Sequence, residues 1–315
     1  MAGGQERILR GRIRTIQATK KITRAMELIA ASRSVKAQQR VQAAVPYSEQ
    51  ITDVVKELAG AGGDVRSPLL SGHANAPKRQ CLVVITADRG LCGGYNSGVL
   101  RKAEAEMKAD VAEGNEFAIV AVGRKAEGYF RFRGYQLDGS FSGFSDNPTY
   151  ADAKAIGQRV VQMFNDGEVD SVELVYTRFV SAGVQEVVMR PLVPLERELV
   201  ASAGDADREK VPAGFEFEPD PASILETLLP RYVEARTYAA LLNAAASEHA
   251  FRQRAMKSAT DNAEELIKSL SRIMNRARQD AITTEIMEIV SGAEALGSDK
   301  EPTIRLADAD DLLAS

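Results

Sequence analysis

The sequence predicts an α/β fold carried on a long antiparallel α-helical coiled coil. N- and C-terminal helices form a shaft, and a Rossmann-like domain with an open sheet lies between them in the chain. Three observations predict this. After Pro230 there is no proline until Pro302 and no glycine until Gly292. The first 58 residues keep helical spacing with one interior breaker, Pro46. In the middle, apolar runs of strand length alternate with helical periods, the pattern of a mostly parallel sheet.

The C-terminal helix is read over 223–296. Apolar residues recur at alternating steps of three and four (Ala263, Leu266, Leu270, Ile273, Ala277), the 3.5-residue period of a helix wrapping a partner. At ~1.5 Å per residue it predicts a rod of roughly 110 Å. Its charges (Arg252, Arg254, Lys257, Asp261, Glu264, Glu265) exclude a membrane span. The N-terminal helix, 1–58, carries Ile13, Ile16, Ile22, Met26, Ile29, Tyr47, Ile51, Val54 and Leu58 at helical spacing. Its seam is thin in large apolar residues, which suits a partner helix in the same chain. Pro46 removes one backbone bond and crowds the preceding turn, so a kink or division is expected there. An antiparallel pairing leaves the longer C-terminal helix roughly 20 residues, or ~30 Å, of unpaired tip.

Between the helices, 59–78 is a linker rich in glycine and proline. The α/β domain, 79–195, opens with a buried strand at 80–87 and the glycine-rich turn Asp88-Arg89-Gly90-Leu91-Cys92-Gly93-Gly94-Tyr95-Asn96. Helix 97–113, strand 117–122, a helix to Phe132 and helix 150–165 follow. Strands 169–178 and 185–191 form an antiparallel pair turning at Ser181-Ala182-Gly183. Residues 196–222 are a polar connection containing Phe215, Phe217 and Glu218, and 297–315 is a tail expected to be disordered.

A net charge of −4 gives no global signal for nucleic acid. Residues 1–45 nevertheless hold ten Lys/Arg against Glu6 and Glu27, so this arm expects an acidic partner surface or a solvated basic face. Two cysteines, Cys81 and Cys92, fit neither a disulfide scaffold nor a metal site and are read as reduced and structural, in a cytoplasmic protein without a signal peptide.

The glycine turn occupies the place of a dinucleotide loop, but it lacks G-x-G-x-x-G and the Lys-Ser/Thr of a P-loop. No catalytic constellation is legible. His73 and His249 read as surface or packing histidines, and Asp152, Asp166 and Asp170 as helix- or strand-end residues explained by capping. No cofactor or metal is expected.

The segments Lys20-Lys21-Ile22-Thr23-Arg24-Ala25-Met26-Glu27-Leu28-Ile29-Ala30-Ala31-Ser32, Ala246-Ser247-Glu248-His249, 255–263 (AMKSATDNA), 275–279 (NRARQ), Ile282-Thr283-Thr284-Glu285, Glu288-Ile289-Val290 and Gly292-Ala293 resemble, in order, the γ subunit of F-type ATP synthases, bacterial type. The turn at 88–96 is also typical of that family, and the resemblance spans residues 5–296.

The resemblance implies a rotor shaft, non-catalytic by itself, inside a ring of α and β subunits. Its foot would rest with the ε subunit on a c-ring through which protons flow, and its unpaired tip would run in an apolar bearing. It implies a peripheral protein on the cytoplasmic face of the cell membrane, attached through partners, with no nucleic acid. It places a β-subunit catch at Arg278, Gln279, Thr283 and Glu285, shaft contacts opposite at Arg24 and Met26, and a c-ring and ε foot at Phe215, Phe217 and Glu218. Here the family often has tyrosines, so the foot loses a hydroxyl. The chain also continues past the family's usual end, and it lacks the inserted cysteine pair of the chloroplast form. Competing expectations are a nucleotide-binding α/β enzyme with helical arms, resting on the glycine turn, and a coiled-coil scaffold, resting on the helices.

Overall fold

The computed structural model describes residues 2–60, 67–72, 79–195 and 220–297. Its elements in chain order are α1 (Ala2–Gly60), α2 (Pro68–Ser71), β1 (Arg79–Ile85), α3 (Tyr95–Ala112), β2 (Glu116–Val122), α4 (Arg124–Phe132), β3 (Gly139–Phe141), α5 (Tyr150–Asn165), β4 (Ser171–Phe179), β5 (Gln185–Val193) and α6 (Pro221–Gly297). Contacts divide the chain into two units, one of Met1–Ile22 with Ala259–Ser315, the other of Thr23–Ser258. Helices α1 and α6 contribute to both.

In the larger unit the sheet order is β3-β2-β1-β4-β5. β1 pairs in parallel with β2 and β4, β2 in parallel with β3, and β4 antiparallel with β5. The central strands read as continuous apolar runs because both faces are covered. Leu82 and Val84 of β1 face Val99, Ala103 and Met107 of α3 and Phe130 of α4. Cys81, Val83 and Ile85 point the other way, into a core shared with α5, Ile51 and Val55 of α1, and Leu225, Leu229 and Tyr232 of α6. Helix α5 begins in a reciprocal capping box, Thr149 with Asp152. It can approach α6 closely because Gly157 offers no Cβ; one placed there would meet Glu234 at 3.3 Å. Asp166, by contrast, ends α5 rather than starting an element.

The helix pair departs from the expected seam in a regular way. Along α1 the more buried positions are Ile13, Ile16, Lys20, Thr23, Glu27, Ala30, Ser34, Ala37, Val41, Ala44, Ser48, Ile51, Val55 and Leu58. They follow steps of three and four without a break, passing Pro46, which lies inside an undivided helix. Ile22, Ile29, Tyr47 and Val54, expected on the stripe, are exposed. On α6 the seam runs Met256, Thr260, Ala263, Ile267, Leu270, Met274, Ala277 and Ala281, leaving Leu266 and Ile273 exposed. The 3.5-residue period was legible, but its phase was not: apolar residues stand at both 266 and 267 and at both 273 and 274. Small residues on the α1 seam let two backbones come close, and burial follows packing there rather than side-chain size.

Two elements escaped the sequence reading. β3 has three residues and no apolar run, and the 59–78 linker contains α2, whose Leu69 and Leu70 are buried in the main core. The tail from 298 onward, His73, and Phe215, Phe217 and Glu218 lie outside the described residues.

Candidate functional site

In an open parallel sheet a ligand crevice is expected beyond the carboxyl ends of the strands, where the strand order reverses. Here that point lies between β1 and β4, and α6 fills it. Ser247 donates from its hydroxyl to the carbonyl of Thr177 at 3.0 Å, and Asn243 accepts from the amide of Phe179 at 3.2 Å. Phe251 packs on Tyr95, ring centroids 5.9 Å apart, and the Arg254 guanidinium lies 4.7 Å over Phe251. A Cβ on Gly93 of the glycine turn would meet the Ala255 methyl at 3.7 Å. Gly93 has φ +55° and Leu91 φ +62°, so the turn is a tight corner. Asn96 closes it by accepting from the amide of Ala87 at 2.9 Å. The place where this topology would hold a phosphate is thus occupied by side chains of the chain's own helix.

The turn instead anchors a second loop, residues 142–149. The Asp88 carboxylate accepts from the backbone amides of Gly143 (2.9 Å), Ser145 (3.0 Å) and Arg124 (3.1 Å). Burial pushes its pKa up, but these bonds outweigh that and hold it below the ordinary carboxylate value. From this loop contacts run to both long helices. Arg33 pairs with Asp146 at 2.6 Å, Arg40 reaches Asn147 and the carbonyl of Pro148, and His249 Nε2 lies 3.0 Å from the carbonyl of Asp146. His249 is therefore a packing histidine, as its sequence context suggested, but a buried one. Its burial, with Arg252 and Arg33 nearby, depresses its pKa. Beside it Glu248, equally buried, pairs with Arg252 at 2.7 Å and has its pKa raised by burial. Helix α6 is enclosed on every side from Ala244 to Ala250, which explains the run of small residues there. Both cysteines are free and buried.

Within this unit α1 and α6 run antiparallel: Arg40 meets Tyr238, and Thr52, further along α1, meets Tyr232, further back on α6. Arg24 is exposed and pairs with Glu27 at 2.9 Å, while Met26 is half-buried. Beside them Leu28, Ile29 and Val35 present large apolar surface to solvent.

In the smaller unit Lys20 pairs with Glu264 at 2.9 Å. Arg278, Gln279, Thr283 and Glu285 are all exposed on α6. Helical spacing places Arg278, Ile282 and Glu285 on one stripe, and Gln279, Thr283 and Ile286 on the next. From Ile282 to Leu296 every side chain is exposed, including Ile286, Met287, Ile289 and Val290. Such an apolar patch marks an interaction surface. Among the described residues no helix is long and apolar enough to cross a membrane.

The chain matches the family described as ATP synthase over residues 5–296. It is 50% identical over 304 residues to the ATP synthase gamma chain of Parafrankia sp. (strain EAN1pec), covering 94% of this chain and 99% of that one. With the gamma chain of Kineococcus radiotolerans it shares 49% over 300 residues, covering 94% and 98%. Among solved structures it is similar to a chain of the Tetrahymena thermophila mitochondrial ATP synthase central stalk and c-ring, at 26% identity and TM-score 0.55, covering 76% of this chain and 99% of that one. A chain of the Euglena gracilis mitochondrial ATP synthase shares the fold at TM-score 0.65 and 16% identity, covering 97% and 99%.

Proposed function

The chain belongs to the ATP synthase gamma-chain family, and from that premise we propose that it is the central rotor shaft of a bacterial F1Fo ATP synthase. It couples proton flow through a c-ring to ATP synthesis and hydrolysis at the catalytic sites of an α3β3 ring. The chain is non-catalytic by itself. It is held at the cytoplasmic face of the cell membrane by its partners, the α and β subunits above and the ε subunit and c-ring below.

The observation that carries this reading is the end of α6, where among the described residues the apolar side chains of Ile282, Ile286, Met287, Ile289 and Val290 are exposed. A sleeve supplied by a ring of subunits would cover them. The mechanism is differential binding. A shaft whose faces differ offers each surrounding β subunit a different contact free energy, and so biases its nucleotide affinity. Arg278, with Gln279, Thr283 and Glu285, would make charge-assisted, reversible contacts to acidic β loops. Arg24 and Met26 would contribute from α1, beside the exposed Leu28 and Ile29. Phe215, Phe217 and Glu218 would form the foot. Occupation of the strand-end crevice by α6 favours this reading over a nucleotide-binding enzyme, since it ties the sheet to the shaft.

Reconstitution with α and β subunits tests it. One copy per α/β hexamer is expected, with ATP turnover reduced about tenfold in Arg278→Ala/Gln279→Ala, the loss of one charge-assisted contact. No complex, or turnover by the chain alone, would sink the rotor reading. A symmetric self-dimer would revive the scaffold.

A further inference from the structure

Helix α4 carries a surface outside the proposed rotor contacts. Ala126 and Phe130 seat it on the sheet face opposite α1, α5 and α6, so its outer side points away from the long helices of the larger unit. That outer side ends in Phe132, 89% exposed, more than any other large apolar side chain among the described residues. Two positions beyond the buried Phe130, it is turned ~200° around the helix from the core side. Gly128, one turn back, offers no side chain and has open space beside it, so the ring stands clear of the helix. Cations surround it: Arg124, Lys125, Arg131 and Arg133 are all exposed. Glu127 steadies Arg131 at 2.8 Å, and Glu104 steadies Arg133 at 3.7 Å, yet the two arginines remain 64% and 52% exposed. Lys108 shares Glu104, and the Asp88 carboxylate accepts from the Arg124 amide. Five cations thus meet three carboxylates, a local excess of positive charge on a chain whose net charge is −4. Exposed ion pairs of this kind contribute little stability, so their cations are available to a further anion.

We propose that the outer side of α4 touches an anionic lipid surface directly. Phe132 enters the headgroup layer, and Arg124, Lys125 and Arg131 meet the lipid phosphates. An aromatic ring among Arg and Lys on one side of a helix is the composition of an interfacial helix. The attraction of each cation to such a surface fades within a Debye length, ~8–10 Å, so negative charge elsewhere on the chain does not cancel it. A stable protein interface covers about 800 Å2 on each side, around a cluster of anchors. Helix α4 exposes one large apolar side chain, which suits a headgroup layer that needs neither pocket nor shape match. A second copy of the same face would set like charges against each other. This contact would add to attachment through partners and does not depend on the rotor reading.

The chain contains no tryptophan, so Phe132→Trp places a single fluorescent reporter at the site. The full chain is titrated with vesicles of equal parts phosphatidylcholine and phosphatidylglycerol, with phosphatidylcholine vesicles, and with glycerol phosphate as a soluble headgroup. With the mixed vesicles alone, emission should shift to the blue and be quenched by brominated acyl chains. Adding Arg124→Gln/Lys125→Gln should raise the lipid concentration for half-saturation at least about tenfold. In cosedimentation, Phe132→Ala should raise it about tenfold over the unsubstituted chain. All three side chains are exposed, so these variants keep the fold. No spectral change with mixed vesicles, an equal response to phosphatidylcholine or glycerol phosphate, or an affinity unchanged in the double substitution overturns the proposal. A blue shift seen only on assembly with α and β subunits overturns it too, and would make this face a protein contact.

Discussion

Gly123→Ala should destabilise the sheet more than its size suggests. Gly123 links β2 to α4 with φ +92° and ψ 141°. That region is essentially closed to residues with a Cβ and costs on the order of 1–3 kcal/mol. An alanine Cβ would also lie 2.3 Å from the carbonyl oxygen of Thr86 and 3.0 Å from its hydroxyl. Thr86 cannot retreat cheaply. Its amide donates to Val122 at 2.8 Å, and its hydroxyl accepts from Ala126 at 2.8 Å and donates to Val122 at 3.2 Å. Gly123 is itself held, donating to Phe141 at 2.7 Å. Relieving the clash breaks at least one of these buried bonds, at ~1–3 kcal/mol. The expected loss is therefore about 2–6 kcal/mol, a large share of typical domain stability. Urea denaturation followed by circular dichroism measures it, with Gly128→Ala as the control. Gly128 sits inside α4, the helix that Gly123 precedes, with nothing near its absent Cβ, so alanine should stabilise by about 0.5–1 kcal/mol. A Gly123→Ala loss below about 1 kcal/mol would refute the claim that the two backbones are rigidly opposed.

His249, with its folded pKa below the ordinary 6.5, takes its proton first in the unfolded chain. Its contribution is full above pH 6.5 and is lost as pH falls below it. Relative to wild type, His249→Gln should flatten that decline; an unchanged slope in pH-dependent melting would count against the assignment. Glu248 slopes the opposite way, which is why the difference between the two chains is the quantity to read. Phe251→Ala removes the ring between Tyr95 and Arg254 and should cost about 2–3 kcal/mol. Added ATP should not restore the melting temperature, whereas restoration would revive a nucleotide site at the strand ends. Ile286→Lys should change the stability of the isolated chain by less than about 0.5 kcal/mol, since its side chain is exposed. The same change should impair co-purification with α and β subunits, and intact assembly would show that this face meets no apolar sleeve.

Long-range order was legible where the chain repeats a rule. Two uninterrupted helical periods and alternating strand and helix runs specify the two helices, the central strands and the antiparallel pair. What was not legible depends on contact. Leu266 and Ile267 satisfy a 3.5-residue period equally, and only packing against α1 decides that Ile267 is covered. Thr23, Ser34 and Ala37 gave no apolar signal, yet each is buried because a close helix contact favours small side chains. β3 forms because Asp138 accepts from the Ile119 amide at 3.0 Å and steers three residues onto the sheet edge. Nothing in its own sequence calls for a strand.

The candidate surfaces divide in the same way. Arg278 alone reads as a solvated charge, and only the surrounding motif singles it out. The loop of 142–149 showed no periodicity at all, yet through Asp88, Arg33, Arg40 and His249 it joins the glycine turn to both helices. A glycine-rich strand-to-helix turn usually leaves its amides free for a phosphate. Here the turn's Asp88 binds backbone amides of that loop and of α4, while Tyr95 receives Phe251 from α6. The sheet's ligand end has become a socket for a helix. Within the larger unit, α6 is therefore joined to the α/β domain through the core at the strand ends, by Asn243, Ser247 and Phe251.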